Sequence, residues 1–116
     1  MFKVEIAVTD QQILNCFEAM HELRPHLKRE EFVETITQMQ KEGFLLAYAQ
    51  ENEMVVAVTG YRIIHHFYCG KLIYVDDLST MQAYRKKGYA KMLMDFIFSE
   101  GRKHNCKHVD LEPSSL

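Results

Sequence analysis

The feature that most constrains the fold is a strand-to-helix-to-strand unit in the last third of the chain. Residues 72–78 (LIYVDDL) are mostly apolar and rich in β-favouring types, which predicts a strand. Residues 89–103 carry apolar side chains at a spacing of three and four, which predicts a helix. Residues 107–111 predict a last short strand. Two strands that flank a helix are expected to be parallel and joined by a right-handed crossover.

The first 25 residues predict a strand followed by a helix. Residues 2–8 alternate, so Phe2, Val4, Ile6 and Val8 are expected on one face of a strand. Residues 9 and 10 are a threonine and an aspartate, which are good N-caps, and Pro25 is expected to stop the helix. The apolar positions of this helix are Ile13, Leu14, Phe17, Met20 and either His21 or Leu23.

The middle of the chain predicts a second helix and an antiparallel hairpin. The helix covers residues 32–40, and Gly43 is a natural stop behind it. Residues 44–49 and 54–64 predict two strands joined by a polar turn, and residues 69–71 make the next turn. The expected order is therefore β-α-α-β-β-β-α-β. We predict an α/β (α+β) fold with a mixed, mostly antiparallel sheet, in one domain over residues 1–116.

Composition limits the possible function classes. A chain of 116 residues with 47% apolar and 26% charged residues is expected to fold around one core. The net charge of −2 favours neither a nucleic-acid partner nor an anionic membrane. The N-terminus lacks a long apolar segment of the kind found in signal peptides, and no stretch approaches the roughly 18 apolar residues of a membrane helix. We expect a cytoplasmic protein.

No metal site is expected. The three cysteines, Cys16, Cys69 and Cys106, form no CxxC pair, so we expect reduced thiols. His65 and His66 are adjacent on a strand and cannot share one metal from one face. His104 and His108 straddle a predicted turn, so their spacing is not that of two ligands on a helix.

The entrance to the last helix is basic and contains a glycine. Arg85, Lys86 and Lys87 precede Gly88, and Lys91 follows one turn later. A helix N-terminus offers unpaired N–H groups and the positive end of the helix dipole, and glycine lets the backbone approach a ligand closely. This predicts a phosphate or pyrophosphate cradle, although neither GxxxxGK[ST] nor GxGxxG is present. The alternative is a solvated basic cap.

The same residues resemble a known family. R-K-K-G-Y-A at residues 85–90 fits the pattern [R/Q]-x-x-G-x-[G/A] of GNAT-type N-acetyltransferases. The longer stretch LIYVDDLSTMQAYRKKGYAKMLMDFIF is similar to that family's strand, bulged loop and helix. The resemblance covers about residues 2–112. It implies the GNAT acyl-CoA N-acyltransferase fold, acetyl-CoA as cosubstrate and direct transfer of its acetyl group to a primary amine in a ternary complex.

The resemblance also implies which residues contact acetyl-CoA. The backbone of residues 85–90 would hold the pyrophosphate, and lysines around it would add charge, including charge toward the 3′-phosphate. The backbone of residues 78–80 would pair with the pantetheine arm, and one N–H there would polarise the thioester carbonyl. The Ser79 side chain is expected to be a bystander. The implied set is Leu78, Ser79, Thr80, Arg85, Lys86, Lys87, Gly88, Tyr89, Ala90 and Lys91.

Transfer to an amine needs a base, and two aspartates are candidates. Asp76 and Asp77 are adjacent in the predicted strand, so we expect them on opposite faces, with Tyr74, Asp76 and Leu78 sharing one face. We prefer Asp76, which matches the position of a proposed base glutamate in spermidine/spermine-type acetyltransferases. Alternatively, one aspartate only attracts a cationic acceptor or caps nearby backbone. In the loop after the first helix, Arg24 and His26 are expected to be solvated, the alternative being contact with the acceptor.

Members of the family commonly continue past the last strand with another helix and two strands, and they often carry a tyrosine there that protonates the CoA thiolate. We therefore expect a form truncated at its C-terminus, without an assignable general acid. We also expect a homodimer that covers the exposed edge of the last strand. The acceptor is expected to be a small-molecule or peptide amine. The alternatives are a non-catalytic acetyl-CoA-binding module and, less in keeping with the charge, a small nucleic-acid binder.

Overall fold

A five-stranded sheet forms the centre of the protein, and its strands lie in chain order. The computed structural model describes residues 3–115. The strands are β1 (Val4–Ile6), β2 (Leu45–Glu51), β3 (Met54–His66), β4 (Gly70–Thr80) and β5 (His108–Leu111). Strands β1 to β4 pair antiparallel, and β4 pairs parallel with β5. The expected mixed sheet and its parallel crossover are confirmed, while β3 and β4 each extend further than the sequence predicted.

Within residues 3–115, four helices pack on this sheet. They are α1 (Asp10–Asn15), α2 (Phe17–Leu23), α3 (Arg29–Lys41) and α4 (Tyr89–Lys103), with 3₁₀ turns at Gln82–Tyr84 and Pro113–Ser115. The bounds of α4 match the prediction. A capping box begins α1, because the Thr9 hydroxyl accepts from the Gln12 N–H at 3.1 Å while the Gln12 side chain accepts from the Thr9 N–H at 2.9 Å.

The single helix expected before Pro25 is instead two helices. They meet at Cys16, whose N–H bonds to Ile13 O at 3.0 Å, a 3₁₀-type contact that tightens the turn and ends α1. Both short helices bury apolar side chains, including Ile13 from α1 and Phe17 from α2. Apolar spacing alone did not reveal the break, because both halves keep a helical period.

The core has two layers, one on each face of the sheet. Helices α1, α2 and α3 cover one face around Phe17, Phe32 and Phe44, and α4 covers the other around Leu93 and Ile97. On β1, Val4 and Ile6 pack against the α4 layer as their shared face predicted. The expectation for Val8 was wrong, because Val8 lies beyond β1 and is 73% exposed. Phe2 lies outside the described residues.

A β-bulge in β4 changes which side chains share a face. Val75 pairs with Tyr61, and Asp77 pairs with Gly60, the residue of β3 that directly precedes Tyr61. Asp76 is therefore one extra residue on β4, and the period-two alternation shifts there.

The expectation that Asp76 and Asp77 face opposite sides was wrong. Asp77 pairs with Arg24 at the end of α2. Asp76 pairs with Arg62, whose guanidinium lies 5.6 Å from the ring centroid of Phe44 in the α1–α3 layer. Both carboxylates are thus on the α1–α3 side.

Leu78, in contrast, packs against the α4 layer with Ile97 and Leu93. The expectation that Leu78 shares a face with Tyr74 and Asp76 was therefore wrong, whereas Tyr74 and Asp76 do lie together, beside Arg62. The extra residue at Asp76 shifts by one position which side chains point to each face of the sheet. The predicted sharing of a face therefore holds only for residues on the same side of the bulge.

Candidate active site

Strands β4 and β5 separate beyond Val75, and a cleft opens there. Their pairing ends at Val75 and Leu111, followed by one hydrogen bond from Glu112 N–H to Val75 O at 2.9 Å. Strand β4 continues for five residues and leads into α4. The cleft has a volume of about 500 Å³ and is walled on the other side by Glu22 and Leu23 of α2. Of the ten residues that the resemblance implied for acetyl-CoA, all except Lys87 line it.

The start of α4 has the geometry of an anion site. Gly88 is the N-cap, with φ 90°. Among residues 3–115, apart from its two chain neighbours, no atom would lie within 4 Å of a methyl group placed on its Cα. No side chain in that part of the chain caps the helix. Lys86 and Lys91 also line the cleft, and Lys91 is paired with Asp95 at 3.0 Å on the surface of α4. The open approach, the helix dipole and these charges together fit a phosphate group.

Arg85 and Lys87 are engaged by neighbouring groups. Arg85 donates from Nε to Thr80 O at 3.0 Å, and its Nη2 lies 3.5 Å from Glu22 Oε1 across the cleft. Lys87 turns toward Glu51, with Nζ 4.0 Å from Oε2. The structure therefore places Arg85 in the cleft and Lys87 beside it.

The end of β4 offers backbone groups to the cleft. Met81 donates its N–H to β3 at 2.8 Å. Backbone N–H and C=O groups point to alternate sides along a strand, so those of Ser79 also point toward β3. The backbone groups of Leu78 and Thr80 point the other way, toward the side where β5 no longer pairs with β4. The Ser79 hydroxyl donates to Ala19 O at 2.8 Å and is buried.

The two carboxylates differ in environment. The Asp76 side chain is 25% exposed and lies 3.0 Å from Arg62 Nε. The Asp77 side chain is 13% exposed and lies 2.9 Å from Arg24 Nε. Burial raises the pKa of Asp77 above the ordinary aspartate value, although Arg24 acts in the opposite direction. A carboxylate with a raised pKa is a stronger base than an exposed one.

Arg24 has a structural role that the sequence did not suggest. Besides Asp77, it donates to Asp76 O and to the Ser114 hydroxyl, each at 3.0 Å. Arg24 thus ties the end of α2 to β4 and to the segment that follows β5, and the expectation that it is solvated was wrong. Its partner Asp77 is 53 positions away, so no local pattern could indicate the pair. His26 is exposed, as expected.

Metal-ligating clusters and membrane-spanning helices are both absent from the described part of the chain. Within residues 3–115, no three His, Cys, Asp or Glu side chains are grouped so that they could hold a metal ion. None of the helices in that range is long and apolar enough to span a membrane.

Comparison with known proteins supplies the family. The Acetyltransferase (GNAT) family matches residues 11–115. The uncharacterized N-acetyltransferase YhdJ of Bacillus subtilis (strain 168) is 28% identical over 112 residues, which are 96% of this chain and 79% of that protein. The solved structure of glucosamine-6-phosphate N-acetyltransferase from Arabidopsis thaliana aligns at a TM-score of 0.79 and 20% identity, over 97% of this chain and 82% of that one.

A further solved structure carries a ligand. Aminoglycoside N-acetyltransferase AAC(6')-Iy, in complex with CoA, aligns at a TM-score of 0.81 and 12% identity, over 97% of this chain and 76% of that one. The fold is therefore the GNAT acetyltransferase fold, as expected from the residue pattern. With a family match that runs from α1 to the end of the described residues, the chain belongs to the GNAT family of acetyltransferases.

Proposed function

We propose that this protein transfers the acetyl group of acetyl-CoA directly to a primary amine within a ternary complex. The observation that carries the proposal is the position of Asp77, a mostly buried carboxylate with a raised pKa, one residue from the cleft residue Leu78. A cosubstrate site and a base are thus adjacent on β4. Similarity to an enzyme named for glucosamine-6-phosphate and to one solved with CoA supports an amine acceptor and this cosubstrate.

The cleft residues bind and orient acetyl-CoA in this proposal. The first-turn N–H groups of α4 and the Lys86 ammonium hold the pyrophosphate, while Gly88 leaves room for it. The exposed backbone edge at Leu78 and Thr80 pairs with the pantetheine arm. The Leu78 N–H donates to the thioester carbonyl oxygen, which gains negative charge in the transition state.

Asp77 acts on the acceptor. It takes a proton from the acceptor nitrogen, whose lone pair then attacks the acyl carbon. The new N–C bond forms as the C–S bond breaks, CoA leaves as a thiolate, and the extra proton on the new amide nitrogen passes through water to that thiolate. The sequence favoured Asp76 as the base, whereas the structure favours Asp77, because the Asp77 side chain is the more deeply buried of the two. Both assignments stay predictions, which asparagine variants of the two residues can separate.

Thermal unfolding with and without acetyl-CoA tests the cosubstrate site. A ligand at 100 times its Kd adds about 2.7 kcal/mol to the free energy of unfolding, which raises the Tm by several degrees in a domain of this size. Gly88→Glu should abolish the shift, because it places a carboxylate where the phosphate binds. Gly43→Glu is the matched control, since Gly43 also has a left-handed φ, 98°, and open space around it.

The outcomes separate the two candidate functions. Both glutamate variants should lose similar stability from backbone strain, but only Gly88→Glu should lose the acetyl-CoA shift. No shift in the parent protein, or an equal loss in both variants, would exclude this cleft as the acetyl-CoA site. A normal shift without acetylation of any amine would favour the alternative, a non-catalytic acetyl-CoA-binding module.

We also propose a homodimer that forms through β5. This strand pairs only with β4 and lies at one edge of the sheet that the described residues form, with His108 and Asp110 exposed. An open edge strand presents unpaired backbone groups to a second chain. Light scattering should give twice the monomer mass, and a monomer mass at the highest soluble concentration would contradict this proposal.

A further inference from the structure

A second pocket lies on the α1–α3 side of the sheet, next to the cosubstrate cleft. Its volume is about 390 Å³, within the usual range for small-molecule sites. Its walls are mostly apolar and come from α2, the following loop, α3 and the start of β2. The apolar lining residues are Met20, Leu27, Phe32, Ile36, Met39 and Phe44.

The two sites share a boundary. Asp77 lines the apolar pocket, and the next residue of β4, Leu78, lines the cosubstrate cleft. On α2, Leu23 lines the cleft, and Arg24, which follows it, lines the pocket. A molecule in the apolar pocket can therefore contact Asp77, whose chain neighbour Leu78 lines the cosubstrate cleft.

The charges of the pocket select among amines. Among the described residues, Asp77 is the one carboxylate that lines the pocket. Arg24 and His26 also line the pocket. One ammonium group can replace Arg24 as the partner of Asp77. A second cationic group held inside the pocket would lie among apolar side chains or near Arg24, and both positions are unfavourable.

We propose that the acceptor is a monoamine carried on an apolar body, such as an aralkyl or branched alkyl amine. Its body lies in the apolar pocket, and its nitrogen points to Asp77. The inference rests on the proposed acetyl transfer and names its acceptor class. It argues against polyamines and aminoglycosides, whose several charges this pocket does not match.

An amine panel tests the class. Purified protein with acetyl-CoA is assayed with phenethylamine, isoamylamine, ethanolamine and putrescine, and both released CoA and the N-acetylated product are measured. Burying the apolar body should raise kcat/KM for phenethylamine at least about tenfold above that for putrescine. Equal or higher kcat/KM for putrescine or ethanolamine would overturn the inference and leave the proposed acetyl transfer intact.

A pair of variants on α3 tests the location. Thr35 is an exposed helix residue at the edge of the pocket, so Thr35→Trp should fill the pocket without disturbing the core. We expect KM for phenethylamine to rise at least about tenfold and KM for acetyl-CoA to stay within twofold. Glu34→Trp, the matched control on an exposed position outside the pocket, should change neither. An unchanged KM for phenethylamine in Thr35→Trp would show that the acceptor does not bind in this pocket.

A binding measurement separates this inference from the proposed function. Saturation-transfer NMR on the parent protein should show contacts to the phenethylamine ring, and these should be lost in Thr35→Trp. Absence of ring contacts, while acetyl-CoA still raises the Tm, would overturn the acceptor class alone. Absence of both the ring contacts and the Tm shift would overturn the proposed function and the acceptor class together.

Discussion

Asp77 is the residue whose surroundings bear most directly on the proposed chemistry. It is mostly buried, its pKa is raised by that burial, and Arg24 donates to it at 2.9 Å. Asp77→Asn keeps the shape and can still accept the Arg24 hydrogen bond, but it cannot take a proton. We expect kcat to fall by about 10²–10⁴, with no change in the acetyl-CoA Tm shift, as measured by steady-state kinetics and thermal unfolding.

Asp76→Asn is the matched control for that change. Asp76 is more exposed and is paired with Arg62, so we expect a much smaller loss of kcat. A large loss in Asp76→Asn with a small loss in Asp77→Asn would assign the base to Asp76, as the sequence first suggested. Similar losses in both would mean that the pair, with Arg24 and Arg62, acts as one unit.

The raised pKa of Asp77 also predicts how stability depends on pH. Between the ordinary aspartate pKa of 3.8 and the raised value, the folded state binds more protons at this site than the unfolded state. The free energy of unfolding that Asp77 contributes therefore falls as pH rises through that window. Urea unfolding at several pH values across this window should show that the free energy of unfolding of the parent, minus that of Asp77→Asn, decreases as pH rises. A difference that stays constant or increases would contradict the assignment.

At the scale of elements, Gly60 of β3 lies beside the bulge in β4, where the packing leaves no room for a side chain. A methyl group at Gly60 would lie 2.3 Å from the buried Phe44 ring and 2.9 Å from Asp77 Oδ2. Gly60→Ala should therefore lower the free energy of unfolding by about 1–3 kcal/mol and disturb the proposed acceptor pocket. Gly101→Ala in α4 meets nothing closer than 3.7 Å, so it should raise that free energy by about 0.5–1 kcal/mol. Urea unfolding measures both, and a neutral Gly60→Ala would contradict the packing argument.

For the molecule as a whole, the sequence predicted what depends on local patterns. Helix α4 was predicted from Tyr89 to about Lys103, because an apolar stripe runs along it and Gly88 precedes it. The order of the elements and the parallel crossover to β5 followed from strand and helix patterns alone. The residues that the family resemblance implied for acetyl-CoA, Lys87 excepted, line one cleft because they are contiguous around the end of β4 and the start of α4.

The acceptor side could not be predicted, because it depends on tertiary contacts. A bulge at Asp76 leaves the sequence alternation unchanged and is set by the register against β3. Arg24 reaches Asp77 only because α2 docks across the sheet, and nothing near either residue indicates the other. The break at Cys16 likewise preserves a helical period on both sides. Local patterns thus indicate the residues of the proposed cosubstrate cleft, whereas the residues of the proposed acceptor pocket come together only through tertiary packing.

The gap between β4 and β5 predicts where acetyl-CoA stabilises the whole molecule. Beyond Val75, β4 pairs with β3 on one side, and its other side faces the cleft. A bound pantetheine arm would supply acceptors for the N–H groups of Leu78 and Thr80, and a bound phosphate would supply acceptors for the first turn of α4. We expect hydrogen exchange of these amides to slow by up to about 100-fold at 100 times the Kd, if they exchange only after the ligand leaves.

The turn between β3 and β4 is the internal reference for that measurement. Residues 67–69 lie outside the cleft lining, so their exchange should stay unchanged, and Gly88→Glu should remove the protection at β4 and α4. Protection spread evenly over the five strands would mean that the ligand stabilises the fold globally instead of completing this edge. Protection confined to the two sides of the cleft would mean that the separation of β4 from β5 is what makes this sheet a cosubstrate site.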